Sequence, residues 1–232
     1  GEIKVAFGKA IANGFAKSIK SFPSAPYPWR KTTKWLERPP AAGGLSSHLV
    51  VFLHGYGADG KDLIDLANPF AMALPNATFI SPDAPNPCAM SPQGRQWFPI
   101  EEIPNGAIKA SDSLLNLIKK EAEDLNLTFK NVVLIGFSQG AMMSMQCLLL
   151  NNFQLGAIIG YSGALRDENI KAASSLIIDG KHKFSDTPIL LVHGEKDEVV
   201  PFQSLQKSKS LLNSVGFNVE TLSRPKLGHG ID

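Results

Sequence analysis

Cysteine is scarce: the 232-residue chain carries only two, Cys88 and Cys147. One lies in a proline-rich loop and the other in an apolar, helix-like run, so they do not make the disulfide framework of a small secreted domain. Free thiols and a reducing, cytoplasmic setting are expected. Neither a C-x-x-C pair nor a His/Cys cluster of metal-ligand spacing occurs, which excludes a structural zinc of the usual kind. No apolar run approaches the ~20 residues that cross a bilayer. Internal repeats are lacking too. What remains is 44% hydrophobic and 19% charged residues, suited to one soluble domain with a sizeable core.

A net charge of +2 hides an asymmetry. Residues 1–38 hold eight Lys/Arg against Glu2 and Glu37, which leaves 15 basic and 19 acidic residues in the remainder. The body is mildly acidic, and nothing in it asks for a nucleic acid partner. Within the cationic segment, Ile3, Phe7, Ile11, Phe15, Ile19 and Phe22 recur at steps of three or four, with Lys9, Lys17 and Lys20 on the other side. That is a basic amphipathic helix pattern. Three readings of it stay open: packing on the domain, an extension that does not pack, or weak contact of residues 1–22 with an anionic membrane surface or a targeting role. Ser21 to Pro28 reads as a linker. Residues 1–31 are therefore taken as an N-terminal extension and linker, and 32–232 as the folded domain.

From there strands and helices alternate. Strands are expected over Thr32–Glu37, at an edge, then Leu49–Leu53, Thr78–Ile80, Asn131–Phe137, Ala157–Tyr161, Pro188–Val192 and Asn218–Leu222. Helices are expected over Lys61–Leu74, Ile108–Glu123, Gln139–Leu150 and Phe202–Val215, with a long loop from Ser81 to Asn105. This alternation predicts an α/β fold, a mostly parallel sheet with helices on both faces.

The most telling stretch is Gly136-Phe137-Ser138-Gln139-Gly140, between an apolar strand pattern and an apolar helix pattern. Strand, G-x-S-x-G and helix in that order form a nucleophile elbow, in which a strained turn presents the serine hydroxyl at a helix N-terminus. A serine hydroxyl needs a base, and the base an orienting acid. In this fold they follow in the order Ser, Asp or Glu, His. After Ser138, Asp197 lies beyond a buried strand and a His-Gly turn, where open α/β sheets place active-site residues. Glu195 and Glu198 share its loop, so the choice among them leans on the family pattern below. Only His229, between Gly228 and Gly230, follows as a base. His54 and His193 each end a strand before a glycine and are read as holding loops, His48 as having no role, and His182 as a surface residue. The oxyanion hole is assigned to the N–H groups of Gln139 and of Tyr56, in the glycine-rich loop after the first strong strand.

With these residues in place the chain resembles the phospholipase/carboxylesterase family, which includes bacterial carboxylesterases and acyl-protein thioesterases. The matching pieces run from Leu53 to Gly60, Ser81 to Pro85, Arg95 to Phe98, Gly136 to Gly140, His193 to Asp197 with Val199-Val200-Pro201, and Gly228 to Ile231. The resemblance spans roughly residues 34–232. It implies an α/β-hydrolase fold without a large lid domain, a Ser138–Asp197–His229 triad, and hydrolysis of carboxylic esters, lipid-like esters or acyl thioesters without metal or cofactor. It also implies that the proline-rich loop with Met90, Trp97 and Phe98 lines the acyl side, although Trp97 reads equally as a core anchor for that loop. Two departures stand out. The first 30 or so residues have no counterpart, and the chain stops three residues after His229, where the family continues into a C-terminal helix. A fragment, or a homodimer covering the same sheet surface, would follow. The rival reading keeps the fold and makes the chain a catalytically silent binding protein.

Overall fold

The architecture is seen in a computed structural model that describes residues 30–32 and 35–232. The helix read over residues 1–22 and its linker lie outside them.

Five strands are buried almost end to end: β3 (His48–Leu53), β4 (Ala77–Ser81), β7 (Val132–Phe137), β8 (Ala157–Tyr161) and β11 (Ile189–Gly194). Continuous apolar runs of this kind suit the inside of a parallel sheet covered on both faces. The sheet has eight strands in the order β1-β2-β4-β3-β7-β8-β11-β12. Its edges are β1 (Arg30–Lys31) with β2 (Leu36–Arg38) on one side and β12 (Val219–Arg224) on the other. From β4 to β12 every pairing is parallel, and β1 and β2 are antiparallel.

Alternate side chains of a strand point to opposite faces, and the core divides accordingly. Leu49, Val51 and Leu53 join one cluster with α3 (Asn105–Asp124), α4 (Gln139–Leu150) and α6 (Gln203–Ser214), through Ile118, Leu148 and Leu212. Val50 and Phe52 join the other with α1 (Lys61–Ile64) and α2 (Ala67–Ala73), through Leu63, Ile64 and Phe70.

Four expectations about the elements need correction. The first is at the sheet edge: the strand read over Thr32–Glu37 is instead the antiparallel pair β1 and β2, so Arg30 and Lys31 belong to the sheet. The two are joined by a turn in which Thr32 N–H donates to Trp35 O. The helix expected over Lys61–Leu74 is two helices, because Pro69 has no N–H for the Asp65 carbonyl and its ring would clash there. The Asn68 N–H takes that carbonyl instead, at 3.1 Å. The long loop contains a hairpin, β5 (Asn86–Cys88) with β6 (Ser91–Gln96), whose prolines Pro87 and Pro92 masked the strand pattern. The segment after β8 holds a short helix, α5 (Asp167–Ala172), and a small pair, β9 (Ile177–Ile178) with β10 (Lys181–His182). Each is too brief to show a period.

β3 lies between β4 and β7, so the chain leaves it toward one edge and later returns on its other side. Such a switch point opens a crevice at the carboxyl ends of the strands. The loop with Tyr56 follows β3 and Ser138 follows β7, on either side of that crevice.

Candidate active site

Ser138 has φ 53° and ψ −116°, a conformation that costs energy for a non-glycine residue and persists where its surroundings impose it. Its N–H donates to Tyr161 O at 2.8 Å, which ties the elbow to β8. Its own carbonyl accepts from Ala141 and Met142 at 3.0 and 3.1 Å and starts α4. Both flanking glycines are obligatory. A Cβ on Gly136 would run into the Gly140 carbonyl, and one on Gly140 into the Leu53 carbonyl.

His229 reaches this serine from 91 residues away, with Nε2 3.0 Å from Ser138 Oγ. Its Nδ1 lies 2.8 Å from Asp197 Oδ2. An ionised carboxylate only accepts, so Nδ1 carries the proton and Nε2 is left to accept from the serine. Asp197 is fully buried at its side chain. Its Oδ1 accepts from the Val199 and Val200 N–H groups at 2.9 and 2.8 Å. Burial works to raise this carboxyl, but the bonds from His229 and Val200, the nearby Ser162 hydroxyl and the Val199 N–H outweigh it and hold Asp197 below its ordinary value. The acid and base loops are joined: Lys196 N–H donates to Leu227 O at 3.0 Å, and Leu227 N–H to Arg224 O at 3.1 Å. Arg224 in turn pairs with Asp232.

The structure thus brings Ser138, His229 and Asp197 into one chain of hydrogen bonds. Glu195 and Glu198, the competing acids, are exposed. Gln139 opens α4, where the first N–H groups of a helix have no partner within it, and Tyr56 lies across the crevice in the loop after β3. Trp97 and Phe98 are buried at 4% and 2% exposure, so neither offers an open wall, whereas Met90 is 82% exposed. His182 is a correction: it is buried, donating to Leu149 O and accepting from Phe184 N–H, because β10 folds under α4. Burial lowers its pKa.

His193 holds a loop as read, through the Val200 carbonyl, but its approach to Asp197 and the bonds of the Gln139 side chain went unread in the sequence. His193 Nε2 sits 2.9 Å from Val200 O and 3.3 Å from Asp197 Oδ2, a second imidazole on the same carboxylate. Its place one turn before Asp197, in the His193-Gly194 pair, was the available signal. The Gln139 side chain is fixed by two hydrogen bonds to the backbone of Trp97 and Phe98. No local pattern announces that.

Residues 42–232 match the model of the phospholipase/carboxylesterase family. The chain belongs to that family. Carboxylesterase SOBER1 of Arabidopsis thaliana is 30% identical over 201 residues, covering 81% of this chain and 85% of the relative. Acyl-protein thioesterase 1 of Yarrowia lipolytica is 30% identical over 182 residues, 72% of this chain and 78% of the relative. Among solved structures, the crystal structure of esterase PE8 superposes with a TM-score of 0.76 at 32% identity, covering 86% of this chain and 92% of that one. The α/β-hydrolase fold and the class of carboxylic ester hydrolase go with this membership. Among the described residues no helix is long and apolar enough to cross a membrane.

Proposed function

We propose that the chain cleaves carboxylic esters and acyl thioesters through an acyl-enzyme on Ser138. The observation that carries this reading is the unbroken chain from Ser138 Oγ through His229 to Asp197, at 3.0 and 2.8 Å. His229 Nε2 takes the hydroxyl proton as Oγ bonds to the acyl carbon. The carbonyl oxygen becomes an oxyanion, held by the N–H groups of Tyr56 and Gln139. The tetrahedral adduct collapses, the bond to the alcohol oxygen or thiol sulfur breaks, and the leaving group departs with the proton from His229. Water then attacks the acyl-enzyme by the same steps, and Ser138 regains its proton. Asp197 keeps the Nδ1–H tautomer and stabilises the imidazolium.

The test is mass spectrometry after a fluorophosphonate probe, with kinetics on p-nitrophenyl butyrate, a palmitoyl peptide thioester and lysophosphatidylcholine. An adduct on Ser138, lost in Ser138→Ala together with up to ~10⁶ in kcat, is expected. Parent-like turnover in Ser138→Ala would refute the mechanism. The three substrates divide ester, thioester and lysophospholipid activity.

A further inference from the structure

The two N–H groups assigned to the oxyanion hole belong to loops that leave adjacent strands, and the last ladder pair between those strands is Leu53 with Gly136. Beyond it, one short segment of the hairpin touches both loops. On the Tyr56 side, Arg95 N–H donates to Ala58 O at 2.8 Å and Gly57 N–H donates to Arg95 O at 2.9 Å. Trp97 Nε1–H donates to His54 O at 2.9 Å, two residues before Tyr56. Tyr56 is therefore bracketed on both sides. On the other side, Trp97 N–H donates to Gln139 Oε1 and Gln139 Nε2–H donates to Phe98 O, both at 2.8 Å.

We propose that the segment Gly94–Phe98 is a brace that sets the spacing of the two oxyanion N–H groups, with Trp97 and the Gln139 side chain as positioning residues. This rests on the catalytic reading above. The chemistry at residue 139 is specific. Its two partners are one donor and one acceptor, and a carboxamide presents an acceptor and a donor side by side without charge and without depending on a proton. The brace is dry, with Trp97, Gln139 and His54 at 4%, 3% and 0% exposure. His54 stiffens it further. Its Nδ1 lies 2.7 Å from Gly55 O, and its Nε2 accepts from Ala84 N–H at 3.0 Å. Gly94 permits the contact, since a Cβ there would overlap the Gly57 carbonyl. Donors held in place before the reaction cost no reorganisation when charge develops, and small misplacements forfeit that advantage.

The experiment compares Gln139→Met and Trp97→Phe with the parent full chain. The readouts are kcat and KM on p-nitrophenyl butyrate, the inhibition constant of an alkyl trifluoromethyl ketone whose adduct carries the oxyanion, and the pH profile of kcat/KM. Each variant is expected to lose roughly 10- to 100-fold in kcat, less than the ~10²–10³ of a deleted donor. KM should change about twofold or less, ketone affinity should fall by the same factor as kcat, and the midpoint of the pH profile should not move. A folded variant with kcat within about twofold of the parent overturns the brace. So does a loss of kcat with ketone affinity unchanged, because the damage then lies outside the hole. Should Gln139→Met fail to fold, Trp97→Phe decides. It keeps one aromatic ring at the site and removes the pyrrole ring with its bond to His54 O, and the ketone affinity separates damage at the hole from damage elsewhere. Failure of the catalytic reading is seen separately, as no probe adduct on Ser138 in the parent.

Discussion

Gly140 lies so close to Leu53 that a methyl group on its α-carbon would fall inside the Leu53 carbonyl oxygen. That contact presses the first turn of α4 against the end of β3, and it places Gln139 across from the loop carrying Tyr56. Gly140→Ala has only backbone to push against. It is expected to destabilise the fold by roughly 3 kcal/mol, at the upper end of the cost of overpacking, and to slow fluorophosphonate labelling of Ser138. Urea unfolding followed by fluorescence, with labelling rates in the folded range, checks both.

Asp197 accepts from His229 Nδ1 and so sets which nitrogen of that ring carries the proton. An amide at this position can turn its N–H toward the imidazole and reverse the tautomer. Asp197→Asn should therefore lower kcat on the order of 10⁴-fold while leaving KM nearly unchanged. Steady-state kinetics on a short-chain ester give the answer, and a loss under about tenfold would remove Asp197 from the proposed triad.

His193 shares the carboxylate without touching the serine. It acts as a strut between Asp197 and the Val200 carbonyl. His193→Phe keeps the ring shape and deletes the donor, and it should reduce kcat by about 10-fold, far less than Asp197→Asn. His193→Gln, which restores a donor, should recover most of that loss. Equal kinetics for the two variants would leave the strut without a role.

Burial lowers the pKa of His48, His54 and His182. Their folded-state values lie below the unfolded value of about 6.5, so the unfolded chain binds more protons just under that pH. Stability should be full above pH ~6.5 and fall as pH drops from there toward the folded-state values. Asp197 is also depressed, so its contribution is present above the unfolded carboxyl value of about 3.9 and is lost as pH falls below that. Urea midpoints from pH 8 to 3 should show both declines, and His182→Gln should flatten the upper one.

Burial pushes the Cys147 thiol up to about 12. With no exposed surface and no thiolate at ordinary pH, it should resist iodoacetamide at pH 8 in the folded protein and react promptly in urea. Peptide mass spectrometry under the two conditions reads this out. Rapid labelling of Cys147 in the native protein would show that α4 opens.

The strands of the sheet interior were legible because each is a compact apolar run, and Gln139–Leu150 and Ala157–Tyr161 match the observed elements end to end. The hairpin was hidden because Pro87 and Pro92 are strand breakers wherever a ladder bond is needed, and here they stand in a short two-stranded sheet outside the main one. His182 looked like surface because its neighbours Lys181 and Lys183 are charged. Its ring turns inward to the Leu149 carbonyl, a partner 33 residues away. Trp97 was open to two readings, and its bond to His54 O together with its burial displays the anchor.

The sequence by itself determined the local geometry: a strand, a turn that only Gly136 and Gly140 can close, and a helix that presents Ser138. Those features follow from backbone sterics within a few residues, which residue types dictate directly. Chain order also singled out His229 as the base, while the choice of Asp197 over Glu195 and Glu198 leaned on the family pattern. Only the tertiary structure decided that His229 Nε2 lies 3.0 Å from Ser138 Oγ, that a second imidazole rests on Asp197, and that one hairpin segment joins the loops of Tyr56 and Gln139. The first and last of these contacts link residues tens of positions apart, and even the His193–Asp197 approach, four positions apart, depends on how the loop after β11 is held. Their distances depend on the order of strands in the sheet and on the packing of both faces, quantities spread over the whole chain and written in no single stretch of it.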